Sequence, residues 1–184
     1  MKACLTSRHV AVAAAGGILV ALSFGGVAQA ITDSVFRYDM PKTGFYTIDA
    51  MAMAPDSSPT AASYGNIAGN GLGGSQGTRC FNTGVNLPQG VTVTAVTFWY
   101  KSGVGGNPSG SLLRHKLSDG TQDVIANNTF VDDSSVRTGG ALPVVPTFAT
   151  INNNAFSYGF SACPNAGTSF FAARIAYTYR TAGD

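Results

Sequence analysis

The side chains that can do acid–base or nucleophilic chemistry are few in this chain. It has two histidines, His9 and His115, and all nine of its acidic residues are aspartates. A Ser-His-Asp site needs its histidine beside a serine and an aspartate, together with oriented oxyanion donors. His115 lies instead between Arg114 and Lys116 in a strand-like segment. We predict that His115 is a surface or half-buried hairpin residue and that the chain has no catalytic residue.

The aspartates do not form a pattern that indicates hydrolysis or metal binding. Paired carboxylates flanking a sugar are the requirement of most glycosidases. Aspartate is favoured in turns for local hydrogen bonding, and four of the nine lie in turn-like segments: Asp56, Asp119, Asp132 and Asp133. The pair Asp132-Asp133 offers oxygen ligands for Ca²⁺, but no D-x-D-x-D-G pattern surrounds it, so we expect a solvated turn. We predict no metal and no cofactor.

Residues 1–30 are predicted to be a secretory signal peptide. Lys2 and Arg8 give a positively charged start, 10–27 is an uncharged run of apolar and small residues, and 28–30 fits a small-x-small cleavage site. A membrane-spanning helix is the alternative. The run contains four glycines, and no basic stop-transfer cluster follows it. We expect cleavage after Ala30, secretion, and no membrane span in the remaining chain.

The mature chain, 31–184, is predicted to carry no net charge. Removing Lys2 and Arg8 from the 11 basic residues leaves nine, which equal the nine aspartates. A neutral chain has no electrostatic footprint for nucleic acid or an anionic membrane. Two cysteines remain after Cys4 leaves with the signal peptide, and in an oxidising compartment we predict that Cys80 and Cys163 form a disulfide.

The strand that organises the chain is predicted to follow the turn at 87–90. Residues 91–101, VTVTAVTFWYK, are almost all β-branched or aromatic, which favours a pleated surface. The apolar alternation slips at Ala95-Val96, and this indicates either a β-bulge or a strand that is apolar on both faces. Neighbours in a strand point to opposite faces, so Trp99 and Tyr100 cannot both lie in the core. Either of these aromatic residues is therefore a candidate platform for stacking a ligand.

The remaining pattern indicates an all-β domain of eight or nine strands. Asp119-Gly120 predicts a tight hairpin between 111–117 and 122–128, and 169–180 reads as a long closing strand. Residues 45–55 and 146–151 are also predicted strands, 56–77 a long loop, and 31–44 a flexible arm or, in part, a first strand. We predict one antiparallel β-sandwich over 31–184, jelly-roll-like, with an immunoglobulin-like sandwich as the alternative.

Several short motifs resemble those of small secreted bacterial β-sandwich proteins of unknown function. The first two are a Y-x-I-x-A-x-A-x-x-P strand at 46–55 and an L-P-x-G-x-x-V-T turn and strand at 87–94. An L-x-R-x-x-L-x-x-G hairpin follows at 112–120 and an Asn-rich turn with its following strand at 152–160. The last is a closing R-I-x-Y-x-Y strand at 174–179. The resemblance implies a jelly-roll-like sandwich in an extracellular setting. It implies no activity.

Two functional classes agree with these features. The first is a secreted, non-enzymatic module with a structural role or with extracellular protein contacts, including contacts between copies of the chain. The second is a carbohydrate-binding module that stacks a glycan on Trp99 or Tyr100. The first predicts aromatic strands covered by a partner, and the second predicts an exposed aromatic strip along a groove.

Overall fold

The computed structural model describes residues 36–56, 64–67, 71–74, 80–101, 106–131, 138–165 and 167–182. Among them, Tyr38–Arg180 form one compact unit, and Phe36, Arg37, Thr181 and Ala182 are assigned to a second. The described residues contain these strands, in chain order: β1 Phe36–Asp49, β2 Ala54–Pro55, β3 Tyr64–Ile67, β4 Gly71–Gly74, β5 Phe81–Gly84, β6 Thr92–Lys101, β7 Ser109–Lys116, β8 Gln122–Thr129, β9 Thr138–Leu142, β10 Phe156–Cys163 and β11 Ser169–Ala182. The predicted signal peptide, 1–30, lies outside the described residues.

The strands form two antiparallel sheets that pack into a jelly-roll sandwich. Sheet A has the order β3-β4-β11-β6-β9, with β1 also paired to β11, and sheet B has the order β2-β5-β10-β7-β8. The eight strands β4 to β11 divide between the two sheets as β4-β11-β6-β9 and β5-β10-β7-β8, which is the arrangement of a jelly roll. The prediction of an all-β, jelly-roll-like sandwich is confirmed. The immunoglobulin-like alternative is wrong, because its sheets pair strands in a different order.

A β-bulge in β6 gives the sandwich core its continuous apolar face. Ala176 and Tyr177 are consecutive in β11, yet they pair with Ala95 and Val93, so Thr94 is an extra residue. An extra residue reverses the face on which the following side chains lie. All of the following are therefore buried on the same side of the sheet: Val91, Val93, Val96, Phe98 and Tyr100. Of the two interpretations of the slip at Ala95-Val96, the structure shows the bulge.

Two predicted strands are wrong in extent. Residues 45–55 do not form one strand: β1 ends at Asp49, whose carboxylate accepts a 2.8 Å hydrogen bond from the Met51 amide and caps a 3₁₀ turn before β2 in the other sheet. Residues 146–151 were predicted as a strand, but Pro146 begins a 3₁₀ helix. A proline fixes φ and has no amide to donate, so it suits the first turn of a helix.

Other segments contain more structure than was predicted. The predicted loop at 56–77 includes β3 and β4, and β9 at Thr138–Leu142 was not predicted. Both regions are rich in glycine, which weakens any strand signal. Residues 36–44, for which an arm or a first strand was predicted, lie in β1. The arm's first residues, 31–35, are outside the described part.

The hairpin and the disulfide are confirmed. β7 and β8 pair with His115 opposite Gln122 across the Asp119-Gly120 turn, where Gly120 has a φ of 72°. Cys80 and Cys163 are bonded to each other. The bond lies beside the last pair of the β5–β10 ladder, at the start of β5 and the end of β10. No helix in the described residues has the length and apolarity needed to cross a lipid bilayer.

The hairpin turn also gives a pH prediction. Hydrogen bonds from the Lys116 ammonium and from the Thr121 hydroxyl and amide hold the pKa of the Asp119 carboxyl well below its usual range. A depressed folded-state pKa stabilises the turn at pH values above the ordinary aspartate range, and this stabilisation is lost as pH falls below it. We expect a carbonyl-detected NMR titration to show that the Asp119 carboxyl stays ionised to lower pH in the wild type than in Lys116→Ala, which lacks the ammonium donor. The same titration midpoint in both proteins would contradict the prediction.

Candidate binding surfaces

A groove of about 310 Å³ crosses the outer face of sheet B. Its lining comes from four neighbouring strands, β5, β10, β7 and β8, and consists of Asn82, Thr83, Leu113, His115, Gln122, Gly159 and Phe160. His115 and Gln122 meet there because they are directly opposite each other in the β7–β8 ladder. Leu113 is opposite Gly159 in the β7–β10 ladder and gives the groove an apolar side chain. The groove lies at the lower end of the size range of small-molecule sites.

Beside Leu113, a pair of glycines leaves the backbone of the sheet without covering side chains. Gly84 and Gly159 are directly opposite each other in the β5–β10 ladder. The neighbours of Gly159 in β10, Tyr158 and Phe160, are buried, so Gly159 faces outward with Gly84. Neither glycine has a positive φ. A Cβ at Gly84 would meet nothing within 4 Å, and one at Gly159 would approach only the Thr83 carbonyl oxygen, at 3.5 Å.

Neither backbone conformation nor packing among the described residues therefore explains this glycine pair. Glycine weakens a strand relative to β-branched residues, so two of them in one cross-strand pair lower the stability of the sheet. Other glycines of the chain do have a packing reason. A Cβ at Gly110 would lie 2.7 Å from the Phe98 ring, and one at Gly140 would overlap the Phe130 ring. A glycine inside a strand often marks a bulge, a tight bend or the close approach of a ligand or another backbone, and the β5–β10 ladder has no register shift at this pair.

The described lining of the groove combines apolar groups with polar side chains and contains no lysine, arginine or aspartate. The Asn82 and Gln122 amides each offer donors and an acceptor, and the His115 imidazole offers one of each when neutral. None of the seven lining residues is a carboxylate. The nearest acid in sequence, Asp123, forms a 2.9 Å ion pair with Arg114. The groove can therefore hydrogen-bond a neutral polar ligand, and its described lining residues do not include the carboxylate pair of a glycosidase.

A second surface lies on the outer face of sheet A and contains Trp99. The indole is partly exposed, and the Arg174 guanidinium lies 5.2 Å from its ring centroid. The same guanidinium lies 5.1 Å from the ring of Phe45, which is 59% exposed. Gly139 is directly opposite Trp99 in the β6–β9 ladder, and a Cβ there would lie 3.2 Å from the indole Nε1. A side chain at residue 139 would therefore crowd the N–H edge of the indole.

Tyr100 is not a platform for ligand stacking, and this part of the prediction is wrong. Its side chain is only 5% exposed, and its ring stacks on Phe130 at 4.8 Å and packs on Phe98 at 5.6 Å. The bulge in β6 turns Tyr100 into the core and Trp99 outward. Trp99 is on the accessible face, but one side of its indole is already occupied by Arg174, and the groove lies on the opposite sheet. The predicted aromatic strip along a groove is therefore not present in the described residues.

The sequence also contains a serine motif that was not among the predicted features. Residues 73–77 read G-G-S-Q-G and fit the G-x-S-x-G pattern. In hydrolases that pattern lies on a strand-to-helix turn. β4 ends at Gly74, and 75–77 lie outside the described residues. Among the described side chains there is also no group of three or more histidine, cysteine, aspartate or glutamate residues close enough to hold a metal ion.

Comparisons with known proteins give structural likeness only. No family model matches the chain, and no curated protein does. The C-terminal CBM6 of LamC, a marine laminarinase from Zobellia galactanivorans, is 14% identical with a TM-score of 0.40, over 72% of this chain and 98% of that chain. The GH26-CBM35 β-(1,4)-mannanase of Podospora anserina is 13% identical with a TM-score of 0.37, over 77% of this chain and 28% of that chain. TmCBM61 in complex with β-1,4-galactotriose is 13% identical with a TM-score of 0.33, over 79% and 91%. At these identities and scores, nothing about a ligand passes to this chain.

Proposed function

We propose that this chain is a secreted, non-enzymatic β-sandwich module that binds a neutral glycan in the groove of sheet B. The observation that carries the proposal is the outward glycine pair Gly84–Gly159, which neither conformation nor packing requires. Such a pair lets a ligand lie against the backbone of the sheet. The predicted signal peptide and the resemblance to secreted bacterial sandwich proteins rest on sequence alone and stay predictions. The Cys80–Cys163 disulfide is compatible with an oxidising compartment.

The chemistry of the lining favours a sugar over other neutral ligands. Each sugar hydroxyl both donates and accepts a hydrogen bond, and the Asn82, His115 and Gln122 side chains do the same. Leu113 offers an apolar contact for the C–H face of a pyranose ring. Binding rather than turnover is supported by the absence of carboxylates among the lining residues.

The test fills the groove without disturbing the fold. A valine at Gly159 has room beside the Thr83 carbonyl, suits a strand, and projects into the groove. We expect Gly159→Val to keep or raise the stability, by up to about 1 kcal/mol, because valine has the higher strand propensity. We expect the same variant to lose glycan binding by at least about tenfold, because the ligand can no longer approach the backbone.

The measurement is a glycan array of neutral polysaccharides and oligosaccharides, followed by calorimetry with the strongest binder. His115→Ala and Gln122→Ala should weaken that binding. Asn127→Val is the control, because Asn127 is exposed on β8 and is not part of the lining. Binding to no neutral glycan, or binding that survives Gly159→Val, would overturn the proposed function. Shortening of the bound glycan by the wild-type protein would show an enzyme instead.

A protein-contact role is the second candidate, and exposed apolar side chains on and beside β1 favour it. Met40 is 72% exposed, Phe45 59% and Met51 69%. Large apolar side chains that stay in water are a feature of interaction surfaces when they are contiguous. Sedimentation of the purified protein over a range of concentrations tests for self-association. A protein that stays monomeric at every concentration would contradict self-association. Glycan binding that depends on Gly159 would then leave glycan binding as the supported function.

A further inference from the structure

The outer face of sheet A holds an arginine between two aromatic rings. Phe45 of β1, Arg174 of β11 and Trp99 of β6 lie side by side across three neighbouring strands. The guanidinium carbon is 5.1 Å from the Phe45 ring centroid and 5.2 Å from that of Trp99. Both distances are within the range of cation–π contacts, which occur over the face of the ring. The two rings therefore fix the guanidinium in place while its residue stays exposed.

The donors of this guanidinium have no partner among the described residues. The ion pairs in the described part of the chain are Arg114–Asp123 and Lys116–Asp119, and neither includes Arg174. Arginine presents its N–H groups in one plane, in a fork that matches a planar oxyanion with two parallel hydrogen bonds. A fixed and exposed fork with no ion-pair partner among the described residues can donate to an oxyanion of another molecule.

We propose that Arg174, held by Phe45 and Trp99, binds the carboxylate of an acidic polysaccharide that contains uronic acids. The charge of the fork favours an anion, and a carboxylate matches the planar fork with two parallel hydrogen bonds. The exposed ring of Phe45 offers an apolar surface for the C–H face of the sugar. A uronic acid unit has both a carboxylate and an apolar C–H face.

This site is independent of the proposed function of the groove. It lies on the opposite sheet and takes a charged sugar, whereas the groove takes a neutral one. Trp99 is a positioning residue in this proposal, because it contacts Arg174 rather than the ligand. It is also the single tryptophan of the chain, so its fluorescence reports on this face of the sandwich.

The test titrates the protein with polygalacturonate and follows Trp99 fluorescence and calorimetric heat in low-salt buffer. We expect saturable binding with a change in fluorescence, weakening as salt screens the exposed charge. Fully methyl-esterified polygalacturonate, which lacks the carboxylate, should not bind. Arg174→Gln should weaken binding about 10- to 100-fold, because hydrogen bonds to charged groups are lost. Arg174→Lys should be intermediate, since it keeps the charge but not the fork.

Arg180→Gln is the matched control, because Arg180 is also exposed on β11 and has no ring contact with Phe45 or Trp99. It should change binding less than about twofold, as expected for a surface charge that does not touch the ligand. Equal losses in the two variants would indicate diffuse charge attraction and overturn the site. Absence of binding, or stronger binding to poly-aspartate or dextran sulfate, would overturn the proposed ligand. Gly159→Val should leave this binding intact, so the failure of one proposal does not imply the failure of the other.

Discussion

Replacing both Cys80 and Cys163 with alanine is expected to lower the free energy of unfolding by about 4 to 5 kcal/mol. The two cysteines are separated by 83 residues. Closing a loop of this length restricts the unfolded chain strongly, and the loop-entropy estimate for it is about 4.5 kcal/mol. A loss of this size is a large fraction of the total stability of a typical domain, about 5 to 15 kcal/mol.

The position of the bond also gives it a local role. It lies beside the Phe81–Ala162 pair at one end of the β5–β10 ladder, and both residues of that pair are fully buried. Three residues away, the same ladder holds the Gly84–Gly159 pair, of which Gly159 lines the groove. Losing the bond should therefore loosen the end of sheet B that supports Asn82 and Thr83.

Urea unfolding of the double variant and of the wild type, with and without a phosphine reductant, measures the effect. The reduced wild type should unfold near the midpoint of the double variant. Ser157→Ala is the control, since Ser157 is exposed on the same strand as Cys163, six residues from it, and takes no part in the bond. Coincident midpoints for the wild type and the double variant would contradict a stabilising role of the disulfide.

The local features of the fold could be predicted because their signals are local. Asp119-Gly120 between two apolar runs specifies a hairpin with little help from the rest of the chain. The bulge at Thr94 is visible in the sequence as a slip of the alternation. Whether that slip marks a bulge or a strand buried on both faces depends on what covers the outer face, and only the structure shows this.

The groove could not be predicted, because strand order brings its residues together. Leu113 and Gln122 belong to one hairpin, but Asn82 and Gly159 lie far from it in the sequence. They join it because β10 lies between β5 and β7 in the sheet although it follows both in the chain. Alternation alone places Gly159 on the face opposite Tyr158 and Phe160. It does not place Gly84 beside it, and a single glycine in a strand is an ambiguous signal.

Phe98→Ala is expected to lower the free energy of unfolding by about 3 to 5 kcal/mol, the usual range for truncating a buried phenylalanine. Its ring is fully buried and stacks on Phe170 at 4.9 Å and on Phe130 at 5.5 Å. It also lies 6.3 Å from Phe160, which belongs to sheet B, so it packs between the two layers. Removing the ring leaves a cavity at the centre of the sandwich.

Gly110 lies against the Phe98 ring, so a substitution at this glycine tests the same packing. A Cβ at Gly110 would lie 2.7 Å from Cδ2 and 2.8 Å from Cε2 of the Phe98 ring, so Gly110→Ala should itself cost about 1 to 3 kcal/mol by overpacking. In the double variant the new methyl group enters the space that the ring has left. The double variant should therefore lose less unfolding free energy than the sum of the two single losses, with a coupling of about 1 kcal/mol or more.

Chemical unfolding of the wild type, both single variants and the double variant measures this coupling. Phe98→Ala combined with Gly84→Ala is the matched control, because a Cβ at Gly84 meets nothing within 4 Å and its effect should add to that of Phe98→Ala. Additive losses for Phe98 and Gly110 would show that the ring and this strand do not share one packed space. A coupling confined to the Phe98–Gly110 pair would show that the absence of a side chain at residue 110 is what lets the Phe98 ring fill the space between the sheets.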